Sequence, residues 1–253
     1  MSDPSPSSRE KLRLAGRKLA ERAQILRKMR AFFDARDFIE IEAPILVPSP
    51  GLELHLDAFA VEHRYLITSP EYQMKRLLAG GMERIYSLGK VFRRGEAGQQ
   101  HNPEFTMLEW YRAGAGWEAI ADDIEALVSS LADDFGVAGL ARPWQRLSVG
   151  DATERFAGVR IDGDEPLPVL REKIARQGHR VPADGAWDDV FFTMFLDAVE
   201  PHLGQTEPTL VYDWPRPLCA LAREKPSDPR VVERFEVYAS GLELCNAFGE
   251  LTD

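Results

Sequence analysis

The segment Arg84–Tyr111 constrains this chain more than any other. It alternates from Arg84 into an arginine turn, Val91-Phe92-Arg93-Arg94-Gly95-Glu96, and resumes as an acid-and-aromatic strand, His101-Asn102-Pro103-Glu104-Phe105-Thr106-Met107-Leu108-Glu109-Trp110-Tyr111. Arg93 offers a planar fork to a phosphate. His101 adds a second polar contact and Phe105 a flat face for a purine ring, so the set suits ATP. On an extended strand Glu109 and Tyr111 point to the same side. A carboxylate and a phenol then face one pocket, as recognition of an ammonium group requires.

With 253 residues and 44% hydrophobic content the chain can bury a sizeable core, and a single catalytic unit is the expectation. Its formal net charge of -10 argues against a broad basic surface for nucleic acid, because phosphate contacts need clustered Lys and Arg. The only cysteines, Cys219 and Cys245, and the lack of an apolar N-terminal secretion segment indicate a reducing compartment and a cytoplasmic enzyme. No apolar run approaches the ~20 residues that cross a bilayer. The five histidines show no metal-ligand spacing, which disfavours zinc.

Residues 1–8, rich in Ser and Pro, are expected to be disordered. Helical spacing without proline predicts a helix between Arg9 and Asp37, and Phe38-Ile39-Glu40-Ile41-Glu42 alternates as a strand up to Ala43-Pro44. Residues 57–68 read as strand pairs around His63-Arg64, Tyr72–Gly80 as a helix, and Trp117–Asp134 as an amphipathic helix. The stretch 148–203 carries short helical patterns and reads as a helical insertion. Thr209–Trp214 and Val231–Tyr238 are strand-like, with Ala239-Ser240-Gly241 turning into a further strand. Glu236, Glu243 and Glu250 lie seven residues apart. Across a hairpin two of these acids converge, and Glu236 with Glu243 suits magnesium, which takes few protein carboxylates and keeps waters and substrate phosphates. Taken alone, such glutamates are most often solvated surface residues.

The eleven-residue string His101–Tyr111 resembles the second signature motif of class II aminoacyl-tRNA synthetases. The likeness is to the lysyl branch, and within it to the short paralogues that ligate lysine to elongation factor P. Two more blocks carry it: Thr68-Ser69-Pro70-Glu71-Tyr72-Gln73-Met74-Lys75-Arg76-Leu77, and Arg234–Tyr238 through Gly241-Leu242-Glu243-Leu244-Cys245-Asn246 to Gly249-Glu250-Leu251-Thr252-Asp253. The helix, strand and proline before them resemble the first motif, which forms much of the dimer interface in those enzymes.

The resemblance implies an α/β catalytic domain over 9–253, with an antiparallel sheet flanked by helices, acting as a homodimer. It implies that ATP and Mg2+ meet Arg93, the catalytic residue, together with Glu96, His101, Asn102, Phe105, Glu243 and Leu244, with Glu236 and Glu243 on the metal. Glu250 and Tyr111 would hold the far ammonium of lysine or β-lysine. Glu71 and Glu109 would face its other amine, with Ser69, Pro70 and Asn246 completing the substrate site. The activity implied is formation of an aminoacyl-adenylate and acyl transfer to a lysine of elongation factor P.

Arg94 and Gly95 replace an asparagine and a glutamate common after the motif arginine, which leaves the adenine edge to Glu96 or to backbone. Ala247-Phe248-Gly249 departs modestly from the family pattern. No glycine-rich, arginine-containing third motif appears before Asp253. Acylation of tRNA is the alternative, disfavoured by the short stretch ahead of Ile25, which leaves no room for an anticodon-binding barrel. A truncated, non-catalytic paralogue that binds lysine or ATP is the other.

Overall fold

A computed structural model describes residues 8–51, 56–98 and 100–251. The chain forms two compact units, residues 1–115 and 116–253. Of the segment 1–8 expected to be disordered, all but Ser8 lies outside the described residues, and Ser8 opens the first helix.

The first unit contains α1 (Ser8–Asp34), β1 (Ile39–Glu40), β2 (Leu46–Val47), β3 (Ala60–Val61), β4 (Arg64–Leu66), α2 (Glu71–Ala79), β5 (Arg84–Phe92) and β6 (Glu104–Arg112). β5 and β6 pair antiparallel from Arg84 opposite Arg112 to Phe92 opposite Glu104, and β1 joins β5 in parallel. β2, β4 and β3 form a separate antiparallel sheet. The strand expected over 38–42 is two residues long. Ile41 still donates its N–H to the Tyr86 carbonyl at 2.8 Å, but Pro44 lacks a donor and restricts Ala43, so the ladder stops.

The two faces of β6 have different neighbours. On one, fully buried Phe33 of α1 stacks on Tyr86 at 4.7 Å and meets Trp110 at 5.5 Å, while Arg22 donates to Thr106 Oγ1 at 2.7 Å. The other carries Phe105, Met107, Glu109 and Tyr111. There Phe105 and Met107 pack on a small cluster of Val47, Ile67 and Val91, leaving the carboxylate and phenol beyond it.

The second unit contains α3 (Trp117–Phe135), β7 (Gln145–Ser148), α4 (Val149–Ala157), α5 (Leu167–Arg176), α6 (Trp187–Ala198), β8 (Thr209–Pro215), β9 (Glu224–Lys225), β10 (Asp228–Ala239) and β11 (Leu242–Phe248). Its sheet runs β11-β10-β8-β7, with β9 on β10. β10 is antiparallel to β8 and β11, whereas β7 is parallel to β8.

The expected single antiparallel sheet is therefore corrected to three sheets among the described residues, two of them mixed. The reason is the connections. Parallel pairing needs a long crossover, which residues 41–83 supply between β1 and β5, and α4 to α6 supply between β7 and β8. β7 was not legible in advance: it has four residues and runs straight into α4, whose first turn is capped by Ser148 Oγ accepting from the Asp151 N–H at 3.0 Å.

Helices α4 to α6 bury a core with Trp214 at its centre, wholly inaccessible and ringed by Phe191 at 6.2 Å and Phe195 at 5.3 Å. Trp117 at the start of α3 stacks on Tyr212 at 5.5 Å and meets Phe235 at 5.8 Å, two residues opposite each other in the β8–β10 register. No helix among the described residues is long and apolar enough to cross a membrane.

Candidate functional site

In the first unit, Ser69, Glu71, Glu109 and Tyr111 come together. Glu109 Oε2 accepts from Ser69 Oγ at 2.8 Å, and Oε1 accepts from the Tyr111 hydroxyl at 2.8 Å. Both carboxylate oxygens are thus fixed by hydroxyl donors from different elements. Ser69 Oγ also accepts from the Glu71 N–H at 3.0 Å, so one hydroxyl holds the first N–H of α2 and donates to the carboxylate. Pro70 is buried at the N-cap of α2, and its carbonyl accepts from the Met74 N–H at 3.0 Å. Glu71 is 7% exposed, and its Oε1 accepts from Lys75 at 2.6 Å.

Burial pushes the Glu109 carboxyl up to about 7, against the lowering effect of the Ser69 and Tyr111 hydrogen bonds. The Glu71 charge adds to the rise, and Lys75 opposes it. A carboxyl poised there gains an ionised form readily when a cation arrives.

Arg93 follows β5, where its N–H donates to the Pro103 carbonyl at 2.9 Å and closes the loop toward β6. Its Nε donates to the Thr68 carbonyl at 3.3 Å, its guanidinium lies 5.3 Å from the centre of the Phe105 ring, and Glu96 Oε1 is 3.7 Å away. Arginine, aromatic face and Glu96 therefore form one group, as phosphate and purine binding would need. His101 and Asn102 are exposed on the connecting loop. Arg94, which departs from the family pattern, pairs with Asp57 through side chain (3.0 Å) and backbone (2.7 Å).

In the second unit Glu236 is 5% exposed on β10. Arg234 donates to its Oε1 at 2.6 Å, and the Tyr238 hydroxyl donates to Oε2. Glu236 faces Asn246, and Tyr238 faces Glu243, across a register shift between Val237 and Tyr238. The shift leaves Leu244 without a register partner and sets Glu236, Tyr238, Glu243 and Asn246 on one face. Burial, with the charges of Glu236 and Glu243, pushes the Tyr238 phenol well up, so it stays a donor. Glu243, Leu244 and Asn246 are exposed. Glu250 lies past the end of β11, in an isolated bridge with Ala222.

Sequence reasoning missed several neighbours of these residues. Lys75 was findable from its i+4 spacing to Glu71 on a helix. Arg234 and Tyr238 were findable as same-face neighbours of Glu236 on a strand. Glu200, whose carboxyl burial and the Glu236 charge push up, carried no local signal. Burial likewise raises the Cys245 thiol, which keeps it unreactive.

Among the described residues no group of three or more His, Cys, Asp or Glu side chains is arranged to hold a metal ion. Glu236 and Glu243 together still fit magnesium, a hard cation that takes one or two carboxylates and completes its shell with water and phosphate oxygens.

A profile of the family described as tRNA synthetases class II (D, K and N) matches residues 11–253. The chain belongs to this family. Among curated proteins, an elongation factor P–(R)-beta-lysine ligase of Vibrio cholerae serotype O1 is 40% identical, the alignment covering 92% of this chain and 73% of that protein. The protein of the same name from Haemophilus influenzae is 38% identical, again over 92% and 73%. A lysine–tRNA ligase of Dehalococcoides mccartyi is 35% identical over 92% of this chain and 49% of its own length.

Proposed function

We propose that the protein is an ATP-dependent ligase that activates lysine or β-lysine and transfers it to a lysine side chain of elongation factor P, as a cytoplasmic enzyme. The observation that carries this reading is the Glu109 carboxylate held between Ser69 and Tyr111 beside Glu71, an acidic recess built for an amine, on the same strand as Phe105 and next to Arg93. The names borne by relatives at 40% and 38% identity support the acceptor.

In the first step a carboxylate oxygen of the amino acid attacks the α-phosphorus of ATP, the α–β bridging bond breaks, and pyrophosphate leaves with an aminoacyl-adenylate formed. In the second, an acceptor amine attacks the acyl carbon, AMP departs, and the amine loses a proton as the amide forms. Arg93 neutralises charge on the α-phosphate, and Phe105 stacks the purine with His101, Asn102, Glu96 and Leu244 around the nucleotide. Glu236 and Glu243 would hold Mg2+, which when bound screens the phosphates. Glu71 and Glu109 take one amine of the substrate, Glu250 and Tyr111 the far ammonium, and Asn246, Ser69 and Pro70 help place the rest. We assign residues 9–253 to one catalytic domain with 148–203 as an insertion. Exposed Leu12, Leu19 and Ile39 on α1 and β1 support a homodimer through the first motif, which light scattering would test.

The test offers elongation factor P and tRNA together to the complete enzyme with ATP and labelled lysine or β-lysine. Label on the protein is expected. Label on tRNA alone would favour the activity named for the Dehalococcoides relative.

A further inference from the structure

Two carboxylates and one ammonium line the recess of the first unit. Glu71 and Lys75 sit one turn apart on α2, 2.6 Å between Oε1 and Nζ, and Glu71 is 7% exposed. Glu109, on β6, receives its two hydrogen bonds from neutral hydroxyls. Lys75 thus places its cation on Glu71, while Ser69 and Tyr111 hold Glu109 through hydroxyls that carry no charge. Opposite Glu109 in the ladder stands Ser87, another uncharged residue. The charges of Glu71 and Lys75, both from α2, act on Glu109 in opposite directions.

We propose that Lys75 sets the charge of this recess: by compensating Glu71 from within the protein, it leaves Glu109 as the carboxylate to be matched by the incoming amine, so that the recess selects one ammonium group. This rests on the reading that the recess takes an amine of a lysine substrate. A bare pair of buried carboxylates would instead repel each other and retain a proton between them. Lys75 is a positioning residue in this account, acting on the substrate through Glu71 and Glu109.

Two measurements on the complete protein test it, with Lys75→Met and Lys75→Arg beside the wild type. The first needs no substrate. Because the Glu109 carboxyl is raised from 4.5 to about 7, its contribution to stability is fully present below 4.5, falls as pH rises, and levels off above about 7. Removing the Lys75 charge should carry that fall about one pH unit higher in urea unfolding curves, while Lys75→Arg should keep the wild-type midpoint. A helix salt bridge with only a structural role would lower stability without moving the midpoint.

The second is ATP–pyrophosphate exchange against pH with lysine isomers. The midpoint of the pH dependence of KM for the amino acid should move up in Lys75→Met, and be restored in Lys75→Arg. KM for ATP should stay within about twofold. Unchanged midpoints in Lys75→Met, by unfolding or by exchange, would overturn the role of Lys75. A wild-type protein that exchanges with no lysine isomer would overturn the functional reading, and the selection of an amine by this recess with it.

Discussion

Arg234 and Glu236 offer the sharpest test of how the second unit holds its functional face. The pair is 13% and 7% exposed at the side chains, with 2.6 Å between Arg234 Nη2 and Glu236 Oε1. Arg234 also donates to the Leu218 carbonyl at 3.1 Å and lies 4.6 Å from the Trp214 ring centre. Replacing Arg234 by Met strands a buried carboxylate, which costs about 3–5 kcal/mol. Loss of the Trp214 and Leu218 contacts adds about 1–2 kcal/mol. In a chain of this length such a loss lowers Tm by roughly 8–28 °C. Arg234→Met with Glu236→Gln removes both charges, so only the smaller part should remain. The double-mutant cycle, read by urea unfolding through tryptophan fluorescence, should give a coupling of about 2 kcal/mol or more. A coupling below about 0.5 kcal/mol would show that the ion pair does not hold Glu236 in place.

Arg93→Ala should lower ATP–pyrophosphate exchange by roughly 100-fold or more with thermal unfolding little changed, since it removes the charge beside the reacting phosphate; exchange within a few-fold of wild type would sink its assignment. Glu250→Gln should raise KM for lysine about tenfold or more with little effect on ATP, because a charge-assisted hydrogen bond of ~1.5–3 kcal/mol becomes neutral. Equal losses for both ligands would argue against it. Gly204 has φ of +65°, and a Cβ there would stand 2.5 Å from the Tyr238 carbonyl, so Gly204→Ala should destabilise by more than ~1 kcal/mol. An unchanged midpoint in a thermal melt would show that this close approach can relax.

Much of the first unit was legible because its signals are local. The alternation of Arg84–Phe92 and Glu104–Arg112 predicts strands, and their period places Glu109 beside Tyr111, which the 2.8 Å hydrogen bond bears out. Ser69 was expected in the substrate site, and its hydroxyl bonds both the Glu71 N–H and the Glu109 carboxylate. Sheet arrangement was less legible. Whether β1 joins β5 in parallel, or β7 joins β8, depends on where long crossovers return the chain, and strands of two and four residues leave little periodicity to read.

The hairpin of β10 and β11 shows how one residue decides a site. Ala239 faces Leu242 and Tyr238 faces Glu243, so an unbroken ladder would set Glu236 against Cys245. Glu243 would still share a face with Glu236, but Asn246, three residues on, would point to the other side. The extra residue, Leu244, moves the pairing to Glu236 with Asn246 and brings the amide round to the carboxylates. Seven-residue spacing in the sequence could suggest convergence of the acids. It could not show that Asn246 joins them, because a bulge changes the parity of everything after it, and that parity is settled by pairing with β10.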